Sequence, residues 1–183
     1  MRQIEENYEE VLKRHGDLAK DSRGASHLQM ASLALASYRT LLPHFAHNRA
    51  VTADLIKEPI GAAAADTLNF MSRFVLFLSF DKFAHVSRGL EYLGRDFGKS
   101  FETEEHKELG FHSLKVTRCL YNTFFERQGV PDLTRLFCAF DRMWFDHVSP
   151  ARHGIEFSRP TTLADGAPCC DFVLRRKDRQ SSG

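Results

Sequence analysis

The sequence carries no excess of either charge: 25 Lys and Arg stand against 24 Asp and Glu, a formal net charge of +1. That balance removes the electrostatic case for a nucleic-acid or anionic-membrane partner, because both kinds of binding rest on a basic surface. It also lacks the roughly 20 uninterrupted apolar residues that a membrane span needs. The most apolar stretch, Ile60 to Phe80, is broken by Asp66, Asn69, Ser72 and Arg73. The amino terminus, Met1-Arg2-Gln3-Ile4-Glu5-Glu6, is polar and acidic, unlike a secretory signal or a transit peptide. Cysteine is scarce, 4 in 183 residues. Without a secretory signal this points to free thiols in a reducing compartment, not to a disulfide scaffold. Gly-rich phosphate loops, a Gly-x-Ser-x-Gly elbow, His-Glu-x-x-His and Cys-x-x-Cys are all absent.

What is present is core material. The chain is 43% hydrophobic with 16 Phe, which excludes disorder as a global description, and 183 residues suffice for one domain with a full core but are short for two comfortable ones. The expectation is a soluble, cytoplasmic, globular protein made of a single domain over residues 1–183.

Residues 1–100 read as helical. Ile4, Tyr8, Val11 and Leu12 repeat at helical spacing before Gly16. Ser26-His27-Leu28-Gln29 has the form of a capping box opening a helix over Leu28 to Leu42, which Pro43 should stop or kink. Thr52 and Asp54 can cap a short helix before Pro59, and a mostly apolar helix is expected from Ile60 to Leu78. Asp81 can cap the next, whose stripe is Phe83, Val86, Leu90, Leu93 and Phe97. The charged segment Phe101 to Gly110 reads as a solvated linker.

Residues 111–176 change period. Phe111 to Thr117 alternates as a strand, with His112, Leu114, Val116 and Arg118 on one side. Leu120 to Gln128 and Leu133 to Val148 follow as helices around Gly129-Val130-Pro131. Ile155-Glu156-Phe157 and Cys170-Asp171-Phe172-Val173-Leu174 alternate again, separated by the Asp165-Gly166 turn signal. The sum is an α+β fold: a helical amino-terminal half packed with a small antiparallel sheet and two further helices in the carboxy-terminal third. The tail 177–183 is expected to fray.

Reactive groups concentrate in that last third. Cys119 sits where the first strand gives way to a helix, so unpaired amides, the helix dipole and neighbouring Arg118 all favour its thiolate. The alternative is a small buried hydrophobe. Cys138 and Asp141 are neighbours on one helix, away from the centre of its apolar stripe Leu133, Phe137, Phe140, Trp144 and Val148. Asp141 can serve a substrate or pair with Arg135 or Arg142. Adjacent strand residues Cys169 and Cys170 face opposite sides, Cys170 inward with Phe172 and Leu174, and Cys169 with Asp171 and Val173. His27 could project from a helix start toward a site. A zinc site is the rival use of these groups, but the cysteines show no knuckle spacing, and His44 and His47 have no evident third ligand.

Thr117-Arg118-Cys119-Leu120-Tyr121, Leu136-Phe137-Cys138 with Asp141, Phe157, Thr162-Leu163-Ala164-Asp165-Gly166 and Cys170-Asp171-Phe172 together resemble the L-2-amino-thiazoline-4-carboxylic acid hydrolase family. The resemblance covers residues 111 to 176, and Leu33 to Arg39 looks like that family's helical first half. One departure is Leu120, where the family pattern has Pro. The resemblance implies hydrolytic opening of a 2-aminothiazoline ring to an N-carbamoyl-cysteine. Such chemistry needs a nucleophile or oriented water, a carboxylate for the amidinium, and a cation for the substrate carboxylate. It casts Cys119 as nucleophile or site-lining thiol, Asp141 or Asp171 as amidine partner and proton acceptor, and Arg118 as carboxylate clamp. Cys170 joins the catalytic set, with Cys138 and His27 lining the pocket. Arg118 and Cys119 serve one pocket only if the strand ends or bends between them. No metal or organic cofactor is required, and the implied partner is a small heterocyclic substrate, with no nucleic acid and no membrane; a homo-oligomer is compatible with this reading. The competing readings are an enzyme of the same family acting on another heterocycle in a biosynthetic pathway, a non-catalytic thiol or zinc binder, and a helical platform for a partner.

Overall fold

Ile4, Tyr8, Val11 and Leu12 lie along the inner stripe of α1 (Arg2–Arg14), which gives way to a 3-10 turn at Gly16–Leu18. The computed structural model describes residues 2–57, 76, 79–143, 145 and 147–177. The expected helix over Ile60 to Leu78 and most of the fraying tail therefore lie outside the described residues, although Leu76 is helical and buried.

The central helix, α2 (Ser22–Leu41), starts upstream of the Ser26 capping box. Asp21 is the cap: its carboxylate accepts from the Gly24 amide at 2.7 Å and from the Lys99 amide at 2.8 Å. Ser26 lies inside the helix and donates to the Ser22 carbonyl. A carboxylate satisfying two amides outcompetes a hydroxyl that can satisfy one, so the helix starts earlier. The same corner explains Gly24, since a Cβ there would lie 1.9 Å from the Ser100 hydroxyl oxygen. Leu28, Ala31, Ala34 and Leu35 bury α2 against α1 and the rest of the core. As expected, the helix stops before Pro43, in a 3-10 segment over Leu42–Phe45.

The next helix, α3, described over 49–57, begins before Thr52 and Asp54, the expected caps. Asn48 starts it by accepting from the Val51 amide, and Thr52 donates back to the Asn48 carbonyl. In α4 (Lys82–Asp96) the expected cap does form, Asp81 accepting from Ala84, and the stripe Phe83, Val86, Leu90, Leu93 and Phe97 is buried throughout.

The segment read as a linker is a strand. Glu102–Glu108 forms β1, the exposed edge of a four-stranded antiparallel sheet in the order β1-β2-β4-β3, with β2 (Phe111–Arg118), β3 (Ile155–Ser158) and β4 (Cys170–Arg176). No apolar alternation announced it because every β1 side chain is exposed. Backbone pairing with β2 alone makes it a strand, and its charges discourage pairing with a second molecule. Gly110 closes the β1–β2 turn with φ +73°, a region that L residues rarely adopt.

One face of the sheet packs on the helices. His112, Leu114 and Val116 of β2 stand opposite Leu174, Phe172 and Cys170 of β4, and α4 crosses so close to Leu114 that a Cβ on Gly94 would meet it at 3.3 Å. His112 is 0% exposed, with Nδ1 2.7 Å from the Ser87 hydroxyl and Nε2 2.8 Å from Glu105. The carboxylate can only accept, so Nε2 carries the hydrogen and Ser87 donates to Nδ1. Ser87 is also 0% exposed, so this Ser-His-Glu chain ties α4 to the sheet through a buried Ser-His pair that ends on an exposed carboxylate.

After β2 come α5 (Leu120–Arg127), a 3-10 turn at Pro131–Leu133 and α6 (Thr134–Met143). The helix expected to reach Val148 is thus shorter, with Phe145 already in a turn, and Trp144 lies outside the described residues. A brief helix, α7 (Pro150–His153), capped by Ser149, precedes β3. Helices and a small antiparallel sheet make the fold α+β, as the sequence predicts. Among the described residues no helix is long and apolar enough to cross a membrane.

Candidate active site

The helix α6 presents Thr134, Phe137, Cys138 and Asp141 to one cavity. Their spacing, three and four apart, is that of one helical face. The face that looked peripheral to the apolar stripe is in fact turned inward, because Phe137 and Cys138 share the contact. Arg135, a sequence candidate for pairing with Asp141, instead binds Asp165 at 3.1 Å and Asp132 at 3.7 Å.

The opposite walls come from four other places, one of them Phe97 and Phe101 at the connection between α4 and β1. Cys119 is the N-cap position of α5, with Tyr121 two residues on. Val116, Cys170 and Phe172 come from the inner sheet face, and Leu163 and Ala164 from the 3-10 turn at Leu163–Asp165. Cys119, Cys138, Asp141 and Cys170, spread over some fifty positions of sequence, therefore line one hollow. Its free space is about 10 Å³, room for roughly one water-sized sphere.

This enclosure sets the electrostatics. Burial pushes the Cys119 thiol far above the usual thiol range; the Asn122 amide opposes it, and the Asp141 charge adds to it. The expectation that dipole and Arg118 would hold Cys119 as thiolate is not met, because lost hydration outweighs a partial charge at a helix end. Burial likewise raises Cys138 to about 11, against the pull of Arg159. Cys170 is raised by burial too, although the Leu163 amide donates to its sulfur at 3.3 Å. Asp141 is raised to about 7 by burial, with Arg159 pulling it down and Asp96 pushing it up. The site thus holds neutral thiols around a carboxyl that gains and loses its proton near neutrality. Such a carboxyl is suited to general acid–base work.

Three sequence candidates lie elsewhere. Arg118 does not line the cavity, although simple alternation would set it on the face of Val116, which does; the β1–β2 register shifts between Glu102 and Thr103, and Arg118 pairs with Glu102 at 3.0 Å. Asp171 projects from the opposite sheet face to Cys170, on the side of Lys115, its register partner. His27 sits within α2 and does not line the cavity, but its Nδ1 lies 2.6 Å from the hydroxyl of Tyr121, which does.

The cation near the site is Arg159, at the end of β3. Its guanidinium donates to the Cys138 carbonyl at 2.9 Å, sits 5.0 Å from the Phe172 ring centroid, and acts electrostatically on Asp141, Cys138 and Cys170. Nothing in the local sequence separates it from a surface arginine; only the return of β3 alongside β4 brings it here. Thr134 was also passed over. Its hydroxyl is buried, lines the cavity and has no hydrogen-bond partner among the described residues.

Among the described residues, no three His, Cys, Asp or Glu side chains are grouped so as to hold a metal ion. The family described as L-2-amino-thiazoline-4-carboxylic acid hydrolase matches residues 27–174, from α2 to β4. No curated protein and no solved structure matches the chain.

Proposed function

The chain belongs to the L-2-amino-thiazoline-4-carboxylic acid hydrolase family, and on that premise we propose that it opens a small 2-amino-thiazoline or related cyclic amidine by adding water at the amidine carbon. The carrying observation is the Asp141 carboxyl, raised to about 7 and enclosed with Cys119, Cys138 and Cys170.

In this reading Asp141 accepts the proton of the attacking water. The water oxygen bonds to ring C2, giving a tetrahedral centre; collapse breaks the C2–S bond, and the departing sulfur takes up a proton. Ring plus one water gives the N-carbamoyl thiol. Water is favoured over a thiol of this protein as nucleophile because Asp141 lies near 7 and Cys138 near 11. Moving a proton from that thiol to the carboxylate is uphill by roughly four powers of ten. The thiols then act as neutral walls that keep the carboxyl dehydrated. Arg159 takes the role assigned above to Arg118, as the cation within reach of a substrate carboxylate. Binding requires the cavity to widen, and the wall with least secondary structure is the turn carrying Leu163 and Ala164.

The test is direct. Purified protein is incubated with L-2-amino-thiazoline-4-carboxylate, and release of free thiol is followed colorimetrically beside the Asp141→Asn variant. Thiol released by the wild type and not by the variant supports the reading. No release from the wild type overturns it.

A further inference from the structure

We propose that the Tyr121 oxygen is a hydrogen-bond acceptor for the amino group of the substrate and that His27 is the positioning residue that keeps it one. The inference rests on the proposed ring-opening site and names what selects its substrate.

The argument begins at Asp96. His27 Nε2 lies 3.0 Å from the Asp96 backbone carbonyl and 3.8 Å from its carboxylate. A carbonyl oxygen only accepts, so in the neutral ring Nε2 carries the hydrogen. Nδ1 is then a lone pair, and the Tyr121 hydroxyl 2.6 Å away must donate to it. The proton of Tyr121 is therefore committed to His27, and the remaining lone pair of its oxygen is left for whatever occupies the cavity that Tyr121 lines. The only titratable groups hydrogen-bonded or ion-paired to His27 among the described residues are Asp96 and Tyr121. A doubly protonated ring would reverse the bond and turn the hydroxyl into a donor toward the cavity.

The ring of Tyr121 has little freedom to escape this arrangement. It stacks on Phe137 with centroids 4.0 Å apart and meets His27 edge-on at 5.5 Å. Burial, reinforced by the charges of Asp141 and Cys119, holds its phenol well above the usual range, so the oxygen stays un-ionised. A protonated 2-amino-thiazoline presents only N–H donors around its amidine carbon. Asp141 supplies one acceptor and Tyr121 the second. An analogue bearing methyl in place of the amino group leaves that second acceptor buried and unpaired, which is how a polar site rejects an isostere.

Two measurements test this. In protein labelled with ¹⁵N-histidine, the His27 signals, assigned by their loss in His27→Gln, should show Nε2 protonated and Nδ1 bare at neutral pH. By calorimetry the wild type should bind L-2-amino-thiazoline-4-carboxylate at least tenfold more tightly than its 2-methyl analogue. Tyr121→Phe and His27→Leu should each erase most of that preference. His27→Gln should restore it, because its amide can donate to Asp96 while its oxygen accepts from Tyr121. A protonated Nδ1, no preference in the wild type, or a preference unchanged in Tyr121→Phe overturns the proposal. If these binding results hold but no ring opens, the proposed hydrolysis fails and this selectivity stands. If the ring opens but Tyr121→Phe still discriminates, the reverse is true.

Discussion

The Arg159 guanidinium donates to the carbonyl oxygen of Cys138 at 2.9 Å, joining the end of β3 to the α6 face that carries Asp141. The bond holds a cation beside a buried carboxyl without neutralising it, for no hydrogen bond joins Arg159 to Asp141 among the described residues. The positive charge is thus available to a second anion.

Arg159→Ala should therefore raise KM for a carboxylate-bearing substrate by roughly 10- to 100-fold, the worth of a charge-assisted hydrogen bond. An uncharged amide of the same substrate should lose far less. Steady-state kinetics on the acid and its amide make the comparison; equal losses on both would remove Arg159 from substrate binding.

Asp141→Asn should lower kcat by about 10²-fold or more, the usual contribution of a positioned base. In the wild type the rate should climb as pH rises through about 7, where Asp141 loses its proton, and the variant should lack that rise. Stability carries the opposite sign. The folded-state value lies above the unfolded one, so between about 4 and about 7 the native state binds more protons and this group makes folding weaker as pH increases. Asp141→Asn should be no less stable than the wild type at neutral pH in urea unfolding.

The thiols should be sluggish. Burial raises Cys138 from 9.0 to about 11, which leaves on the order of 100-fold less thiolate at neutral pH than an ordinary cysteine has. Alkylation by iodoacetamide, mapped by mass spectrometry, should be correspondingly slow at Cys119, Cys138 and Cys170 in native protein and rapid after unfolding. Single Cys→Ser variants at these positions should lose less turnover than Asp141→Asn. A Cys119 that alkylates rapidly in the native protein, with Cys119→Ser inactive, would restore the nucleophilic role.

Gly24→Ala should destabilise the fold despite alanine's better helix propensity, a gain of at most about 1 kcal/mol. The added Cβ would lie 1.9 Å from the Ser100 hydroxyl oxygen, which also accepts from the Lys20 amide at 2.9 Å. Overpacking of this kind costs about 1–3 kcal/mol. A lowered midpoint in thermal unfolding, with Gly16→Ala nearly neutral because nothing crowds that position, is the expected pair of results.

What the sequence by itself determined is whatever depends on neighbours a few residues away. The Asp81 cap, the stripe from Phe83 to Phe97, the stop before Pro43 and the inward alternation of Leu114, Val116, Cys170 and Phe172 are local periodicities, and each is found in the structure. The motifs that resemble the family lie in residues 111 to 176, and the family match itself spans residues 27–174. Tertiary structure alone decided the rest, because the competing energies are long-range. Asp21 starts α2 with help from the Lys99 amide, 78 residues away. The charged segment Glu102–Glu108 becomes a strand only because β2 offers it a ladder. The same is true of the site. Cys119, Cys138, Asp141 and Cys170 acquire their shifted acidities from a shared enclosure, and Arg159 displaces Arg118 as its cation because strand pairing, not proximity in sequence, decides which charge reaches it.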